Sequence, residues 1–213
     1  MPDSLLTNSK IVAAYRERTQ KSAELAANAR KTFPSGITHD SRHTDPYGIY
    51  VDHAKGSRKW DVDGNEYVDF FGGHGALILG HNYLGISEAT HAQLEKGTHF
   101  GASHPAEVEW GGLVQQMVPC AERVRFTSSG TEANLMAFRL ARAFTKKPKL
   151  VRFISHFHGW QDHVAFGAKG TVTGGPVPGI LDGIIENVIL IEPGNEQIIR
   201  ETLSSRDDIA GVI

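Results

Sequence analysis

Short apolar segments rich in β-branched residues alternate with helix-favouring segments in the C-terminal part of the chain, and this alternation constrains the fold most strongly. The predicted strands are residues 123–129, 149–155, 187–193 and 208–213. Helix-favouring segments lie between the first pair of strands, over 132–144, and between the last pair, over 195–203. Strands that alternate with helices predict an α/β fold with a mostly parallel sheet and flanking helices.

The N-terminal part of the chain has a different pattern. Residues 10–30 contain no Gly or Pro and are rich in Ala, Glu, Lys and Arg, which predicts a peripheral helix. Residues 33–48 concentrate Pro, Gly, Ser and Asp, which predicts a loop. Over residues 60–70, Asp63-Gly64 lies between runs that alternate apolar and polar residues. This arrangement predicts a β-hairpin closed by a turn that needs positive φ.

Between these two parts, a glycine-rich loop over 71–82 precedes two segments with helical spacing of apolar residues, 86–97 and 107–118. A further stretch, 165–183, is too rich in Gly and Pro for a helix or a strand and too long for an ordinary connection. Long irregular connections in compact domains are often functional, so 165–183 is a candidate functional loop.

We expect residues 1–70 to form an N-terminal segment of helix, loop and hairpin. Residues 71–213 are expected to form the first part of a larger α/β domain. The final residues, 208–213, have the pattern of a buried strand. A parallel strand needs neighbours on its edges and a helix over its face. We therefore expect the chain to be truncated, with the domain incomplete at Ile213.

Composition excludes several classes of protein. The chain has 22 Lys and Arg against 24 Asp and Glu, a formal net charge of −2, which disfavours a nucleic-acid binder driven by phosphate contacts. The single cysteine, Cys120, has no partner for a disulfide and no zinc-ligand spacing, which favours a reducing, cytoplasmic location. No segment resembles a secretory signal or approaches the roughly 20 apolar residues of a membrane span.

A short polar segment with a glycine joins the first predicted strand to its helix: Ser129, Gly130 and Thr131. Backbone N–H groups at a helix N-terminus, with nearby hydroxyl groups and a glycine that permits close approach, make a site for phosphate or another anion. In the alternative interpretation, Ser129 or Thr131 only caps the helix and Glu132 supplies negative charge to the first turn. The residues alone leave both interpretations open.

A second polar segment, 154–166, follows the next predicted strand and contains His156, His158 and His163. Neither a cysteine nor the HExxH spacing accompanies these histidines, so we predict no metal site. A ligand crevice in an open α/β sheet lies at the carboxyl ends of its strands, where Phe157 could stack on a flat heteroaromatic ligand. Spacing alone favours core packing for Phe157.

Five motifs together resemble one family. They occur in the order FPSGI-H-SR, WDVDGNEYVDF, GGHGALILGH, SSGTEAN and F-HGW-D. This order is similar to that of class III aminotransferases, which are fold type I enzymes that use pyridoxal 5′-phosphate (PLP). The similarity runs from about Phe33 to Ile213 and is strongest to the glutamate-1-semialdehyde aminomutase branch.

The resemblance implies a cofactor site in the α/β part. Ser129, Gly130 and Thr131 match the residues that hold the PLP phosphate, in agreement with the anion site inferred above. Phe157 matches the aromatic residue that lies against the PLP ring, where the aminomutases typically have Tyr, and His158 follows it as in the family. Loss of the phenolic hydroxyl leaves stacking intact.

The resemblance also implies a substrate site. Arg42 matches an arginine that faces the substrate carboxylate, and a planar guanidinium suits that group; without the resemblance, Arg42 is a surface charge. His74 stands where the aminomutases usually have Trp, and Trp160 replaces a residue that is often His, so the resemblance leaves the substrate scope open. The Schiff-base lysine and the aspartate that pairs with the pyridine nitrogen are expected beyond Ile213. No catalytic residue is therefore assigned within this chain.

These features together predict a PLP-dependent aminotransferase that acts on a carboxylate-bearing amino compound, namely an amino acid, with β-amino acids among the candidate substrates. Its partners would be a small-molecule amino donor and a keto or aldehyde acceptor, and the family implies a homodimer. Two alternatives stand beside this prediction. One is a glutamate-1-semialdehyde 2,1-aminomutase; the other is a non-catalytic, truncated chain that binds a phosphate ligand or a partner subunit.

Overall fold

The computed structural model describes residues 9–167 and 178–213. The chain divides into two compact units, Met1–Ser103 and His104–Ile213, called here the N-terminal and C-terminal units. The domain boundary that the sequence predicts after residue 70 stays a prediction. Most of the candidate functional loop over 165–183 lies outside the described residues.

Two helices, α1 (Ser9–Arg18) and α2 (Gln20–Ala29), replace the single helix predicted over 10–30. The break falls at Thr19, which has φ −131° and ψ 44° and is 1% exposed. The Thr19 hydroxyl donates a hydrogen bond to the Tyr15 carbonyl oxygen at 2.6 Å. Such local bonds from Thr compete with regular helical geometry, which explains why the composition of the segment did not predict the break.

An antiparallel sheet in the order β1-β2-β3 forms the centre of the N-terminal unit. Its strands are β1 (Val51–Lys55), β2 (Arg58–Asp61) and β3 (Glu66–Val68). The pairing of β2 with β3 confirms the predicted hairpin, and β1 was not predicted. The predicted loop over 33–48 contains two short 3₁₀ turns, Pro34–Gly36 and Asp40–Arg42.

The turn of the hairpin is organised by Asp61. Its carboxylate accepts hydrogen bonds from the backbone N–H groups of Asp63 at 3.0 Å and Asn65 at 2.8 Å, and from the Tyr67 hydroxyl at 2.7 Å. Burial alone would raise the pKa of Asp61, but the hydrogen bonds from Tyr67 and Asn65 lower it. Gly64 has φ +88°, the left-handed conformation that the Asp-Gly sequence predicts.

The glycine-rich loop over 71–82 connects β3 to helix α3 (Leu84–Leu94). Its far end is paired with the turn between β1 and β2, because Gly56 and His81 exchange two backbone hydrogen bonds of 2.8 Å. Gly80 has φ +78°, and a Cβ atom there would lie 2.8 Å from the Gly56 carbonyl oxygen. Only glycine therefore fits at this close approach of two backbone segments.

The C-terminal unit contains a parallel sheet in the order β5-β4-β6. Its strands are β4 (Lys149–Phe153), β5 (Val188–Ile191) and β6 (Ile209–Val212). Its helices are α4 (Pro105–Met117), α5 (Gly130–Thr145), α6 (Asp162–Ala165), α7 (Asp182–Ile185) and α8 (Glu196–Ser204). The sheet and its flanking helices confirm the predicted α/β fold.

One predicted strand, 123–129, is wrong. A parallel strand is defined by hydrogen bonds to a neighbour, and within the described residues no strand pairs with this segment. Its apolar side chains pack locally instead, since the Phe126 ring stacks on Trp110 with centroids 3.7 Å apart. The segment does contain apolar side chains that pack, but local sequence does not specify which strand would pair with it.

The core of the C-terminal unit lies where helix α5 crosses the sheet. Phe138, Leu150 and Val164 form a buried cluster, with Ala210 and Ile213 packed against it. Strand β4 is central and has three consecutive buried residues, as expected for a parallel strand that is covered on both faces. This packing fixes the carboxyl end of β4, from which the polar segment 154–167 leaves the sheet.

Candidate functional site

The N-terminus of helix α5 carries the predicted phosphate-binding residues. Ser129 is the N-cap, and its hydroxyl oxygen accepts a hydrogen bond from the Glu132 N–H at 3.2 Å. The cap and the anion site are compatible, because a hydroxyl that caps a helix still lies beside the first backbone N–H groups. A Cβ atom added at Gly130 would have no heavy atom within 4 Å, so a ligand has open access there.

Segment 154–167 lies against the same end of helix α5. The Asn134 side chain donates to the His158 carbonyl oxygen at 2.7 Å. Gly159 is buried with φ +111°, and a Cβ atom there would lie 2.4 Å from the Thr131 hydroxyl oxygen. The structure therefore brings the two polar segments of the sequence together at one place.

Phe157 is 75% exposed, so the core packing that its spacing favoured is wrong. The ring stands beside backbone that is tied to the start of helix α5. A large apolar ring that is exposed next to an anion-binding helix end can receive the flat ring of a phosphorylated ligand. The positions of Ser129, Gly130, Thr131 and Phe157 are compatible with such a ligand.

His158 is half-buried, and its Nε2 atom is buried without a hydrogen-bond partner among the described residues. Burial lowers the pKa of His158, and the electrostatic interactions with the neighbouring Arg152 and His156 lower it further. The imidazole is therefore neutral near pH 7. An unpartnered ring nitrogen of this kind is a polar group available to a ligand or to another part of the protein.

The other two histidines of the segment have partners of different kinds. The His156 ring lies edge-on to His158 with centroids 6.2 Å apart. His163 contacts the Arg142 guanidinium, with 3.1 Å between His163 Nε2 and Arg142 Nη1. Over residues 9–167 and 178–213, no group of three or more His, Cys, Asp or Glu side chains could hold a metal ion.

The predicted substrate residues lie in the N-terminal unit. Arg42 is exposed and donates to the Thr38 hydroxyl at 3.0 Å. The hydroxyl of the adjacent Ser41 lies 3.2 Å from His74 Nε2 and 2.8 Å from His39 Nδ1. Arg42 and His74 thus lie on two loops that meet at Ser41, a contact that the sequence did not indicate.

A cavity of about 1150 Å³ lies between helix α2 and the loop over 33–51. Its lining includes three arginines, Arg16, Arg30 and Arg42, and, among the side chains that the structure describes, one acidic residue, Asp45. Aromatic side chains of Phe33 and Tyr47 supply apolar surface. The arrangement suits an organic ligand that carries a negative charge.

Sequence reasoning missed Asn134 and Arg152. Asn134 lies within the SSGTEAN motif, but its contact with His158 is made across 24 residues of chain. Arg152 lies in the middle of a predicted strand of apolar residues. A charged residue at such a position is a signal that could have been used, because buried charges need specific partners.

An α/β sheet with hydroxyl groups at a helix N-terminus, and an exposed aromatic ring beside it, has the features that phosphate-binding α/β proteins use for their ligands. The particular family follows from comparison. The model of the family "Aminotransferase class-III" matches residues 39–171. The chain therefore belongs to the class III aminotransferase family, as the motif order predicted.

Individual relatives agree with this assignment. The chain is 38% identical over 198 residues to a glutamate-1-semialdehyde 2,1-aminomutase of Methanosphaera stadtmanae, covering 92% of this chain and 47% of the relative. It is 39% identical over 203 residues to glutamate-1-semialdehyde 2,1-aminomutase 2 of Staphylococcus saprophyticus, covering 92% and 48%. The chain thus spans about half the length of the curated relatives it matches.

Solved structures share the fold. A transaminase with PLP bound has 37% identity and a TM-score of 0.86, and the match covers 91% of this chain and 46% of that one. An omega-transaminase from Sphaerobacter thermophilus has 31% identity and a TM-score of 0.85, with 93% and 48% covered. In the part of this chain that the structure describes, no helix is both long and apolar enough to cross a membrane.

Proposed function

We propose that this chain belongs to a PLP-dependent aminotransferase that acts on a carboxylate-bearing amino compound. The observation that carries the proposal is the contact between the start of helix α5 and the segment that exposes Phe157. PLP consists of a flat pyridine ring and a phosphate group. The exposed ring of Phe157 suits the pyridine ring, and the start of helix α5 suits the phosphate. When bound, PLP supplies an electron sink for a carbanion formed next to the amino group.

The residues of the site have distinct roles in this proposal. The hydroxyl groups of Ser129 and Thr131 and the first N–H groups of helix α5 hold the phosphate. Gly130 leaves the phosphate room to approach the backbone. Phe157 stacks on the pyridine ring, and the neutral imidazole of His158 lies beside it.

In the proposed function, Arg42 and His74 line the substrate-binding site. The guanidinium of Arg42 binds the substrate carboxylate through paired hydrogen bonds. Its position in the lining of a cavity with three arginines supports this role. His74 is held next to Arg42 through Ser41 and narrows the range of substrates.

The remaining features of the proposal are a small-molecule amino donor, a keto or aldehyde acceptor, a homodimeric assembly and a cytoplasmic location. The resemblance to the family supports the first three. The exposed, unpaired thiol of Cys120 supports a reducing compartment. A glutamate-1-semialdehyde 2,1-aminomutase is the second candidate, because curated relatives at 38% and 39% identity carry that name.

Cofactor binding can be tested without a Schiff base. Pyridoxamine 5′-phosphate has the ring and phosphate of PLP but no aldehyde, so it does not react with lysines. We expect Ser129→Ala combined with Thr131→Ala to weaken its binding by about two to four orders of magnitude, since each lost charge-assisted hydrogen bond contributes about 1.5–3 kcal/mol. Titration calorimetry of the purified protein measures the dissociation constant.

A matched control separates binding from helix capping. Asn195 caps helix α8 in the same unit, where its side-chain oxygen accepts from the Ile198 N–H at 3.1 Å. Asn195→Ala should lower the unfolding temperature but leave the affinity for pyridoxamine 5′-phosphate unchanged. An unchanged affinity in the Ser129/Thr131 double variant would mean that these residues are only caps and that the phosphate binds elsewhere.

The substrate side is tested by comparing two classes of amine. In the active enzyme, Arg42→Ala should lower kcat/KM for carboxylate-bearing substrates by about two orders of magnitude and leave amines without a carboxylate almost unaffected. Arg42→Lys should restore only part of the loss, because an ammonium group does not make the paired contacts. Arg58→Ala is the control, since Arg58 pairs with Glu66 on the exposed hairpin. Equal losses for both substrate classes would assign Arg42 a structural role.

A further inference from the structure

Strand β4 contains a charged residue at its centre. Arg152 is 1% exposed, and none of the carboxylates in the described part of the chain forms an ion pair with it. Burying a charge is costly unless its hydrogen-bonding groups are satisfied. Both Nη atoms of Arg152 have hydrogen-bond partners, whereas its buried Nε has none among the described residues, so the partners of the Nη atoms indicate what the residue is for.

The guanidinium binds three backbone carbonyl groups of one segment. Its Nη1 atom donates to the carbonyl oxygens of Val164, at 2.7 Å, and Phe166, and its Nη2 atom donates to that of His156 at 3.0 Å. These acceptors lie near the two ends of segment 154–167. The guanidinium thus lies inside the loop formed by segment 154–167, and it connects the beginning of this loop with its end.

The base of the same loop is closed by a backbone hydrogen bond. The Ser155 N–H donates to the Gly167 carbonyl oxygen at 2.7 Å. At the far end, the His158 carbonyl oxygen accepts from the Asn134 side chain of helix α5. Phe157 lies between His156, which is bound by the guanidinium, and His158, which is bound by the helix.

The Phe157 ring has little packing of its own, because it is 75% exposed. A side chain that is not held by neighbours takes its position from the backbone that carries it. That backbone is fixed on one side by Arg152 through His156. The contact of Gly159 with Thr131 fixes the other side.

We propose that Arg152 is a positioning residue for the Phe157 ring, and that its three hydrogen bonds to loop carbonyls hold the ring where a cofactor ring stacks. This inference rests on the proposed function. In it, Arg152 acts on the Phe157 ring through the backbone of the loop and does not itself touch the cofactor.

An arginine suits this task better than a lysine. The guanidinium is planar and has donors at separate corners, so it can reach carbonyl groups on two sides of the loop. An ammonium group is compact and carries its three donors at one point. Arg152→Lys therefore keeps the positive charge but cannot bridge the three carbonyl groups, which makes it the informative substitution.

A double-mutant cycle tests the proposal with pyridoxamine 5′-phosphate as the probe. Phe157→Ala in the wild-type background should weaken binding about threefold to tenfold, the range expected for loss of one aromatic stack. In the Arg152→Lys background, the same Phe157→Ala substitution should weaken binding less than about twofold, because the ring is no longer held in place. Arg139→Lys, an exposed arginine on helix α5, is the control and should leave the full Phe157 effect.

Hydrogen exchange supplies the structural readout. In Arg152→Lys, the Ser155 amide should exchange faster, while the amides of β4 keep their protection. If Arg152→Lys does not fold, Arg152→Gln, which retains one donor group, is used in the same cycle. It should reduce the Phe157 effect in the same way.

The outcomes separate the two proposals. A Phe157→Ala effect of the same size in the Arg152 variants and in the wild type would overturn the positioning role, whatever the stability of those variants. Absence of any binding of pyridoxamine 5′-phosphate to the wild-type protein would instead overturn the proposed function.

Discussion

The two units of the molecule each hold a loop that carries a predicted site residue and is organised by a buried charge, but the charges have opposite sign. In the N-terminal unit, the carboxylate of Asp69 gathers hydrogen-bond donors at the base of the loop that carries His74. In the C-terminal unit, the guanidinium of Arg152 gathers backbone acceptors inside the loop that carries Phe157. The sign of the central charge decides whether hydrogen-bond donors or acceptors of the loop bind to it.

The partners of Asp69 include two cationic or ring side chains as well as backbone N–H groups. Its carboxylate, 4% exposed, contacts His81 Nε2 at 2.6 Å and Lys59 Nζ at 3.1 Å, and accepts from the Phe71 N–H at 3.0 Å. The hydrogen bond from His81, the N–H of Phe71 and the ammonium of Lys59 hold the pKa of Asp69 well below its usual range. The carboxylate thus connects both ends of the glycine-rich loop to the antiparallel sheet.

The largest expected effect tests the loop of the C-terminal unit. Gly159→Ala places a Cβ atom against Thr131 at a residue with φ +111°. Backbone strain and overpacking together should lower the free energy of unfolding by about 2–5 kcal/mol. Urea denaturation measures this loss. Gly112→Ala in helix α4, where an added Cβ meets no atom within 4 Å, should instead be neutral or stabilising. Equal effects of the two substitutions would contradict the close contact between the loop and helix α5.

The next effect tests the loop of the N-terminal unit. Asp69→Asn removes the charge that His81 and Lys59 share, and should lower the free energy of unfolding by about 2–3 kcal/mol. Hydrogen exchange should increase over residues 69–81. The matched control is Asp52→Asn, since Asp52 contacts the His53 ring at 2.8 Å on the exposed surface. That change should cost at most about 1 kcal/mol. If both substitutions have the same small effect, Asp69 does not organise the loop.

The smallest effect is a difference in acid sensitivity between the units. Burial lowers the pKa of His158 and His163, so below about pH 6.5 the unfolded chain takes up protons that the folded C-terminal unit does not. The stabilisation from the lowered pKa of Asp69 is complete above about pH 4 and is lost only as the pH falls further. Amide protection should therefore decrease first in the C-terminal unit.

Hydrogen exchange measured from pH 7 to pH 3, corrected for intrinsic rates, separates the two units by segment. His163→Gln removes one titrating group and should flatten the decrease of protection in the C-terminal unit between about pH 6.5 and pH 5. Earlier loss of protection in the N-terminal unit would show that the carboxylates, and not the histidines, govern the response to acid.

Local sequence was sufficient for the features that depend on local physics. Alternation of β-branched segments with helix-forming segments predicted the α/β fold, because side-chain period and propensity act within a few residues. Asp63-Gly64 predicted the hairpin turn, since positive φ at Gly64 is a property of glycine itself. The Ser-Gly-Thr segment at the start of helix α5 predicted a helix cap or an anion site; Ser129 is the cap, and the anion site stays a prediction.

The tertiary structure alone decided the features that depend on distant neighbours. Residues 123–129 have the composition of a strand, but strand pairing needs a partner that local sequence does not specify. The exposure of Phe157 depends on the loop that holds it, not on its spacing. The carbonyl partners of Arg152 lie up to 14 residues away in the chain, and the hydrogen-bond donors of Asp69 lie up to 12 residues away. A buried charge acquires its role only from the partners that folding brings to it.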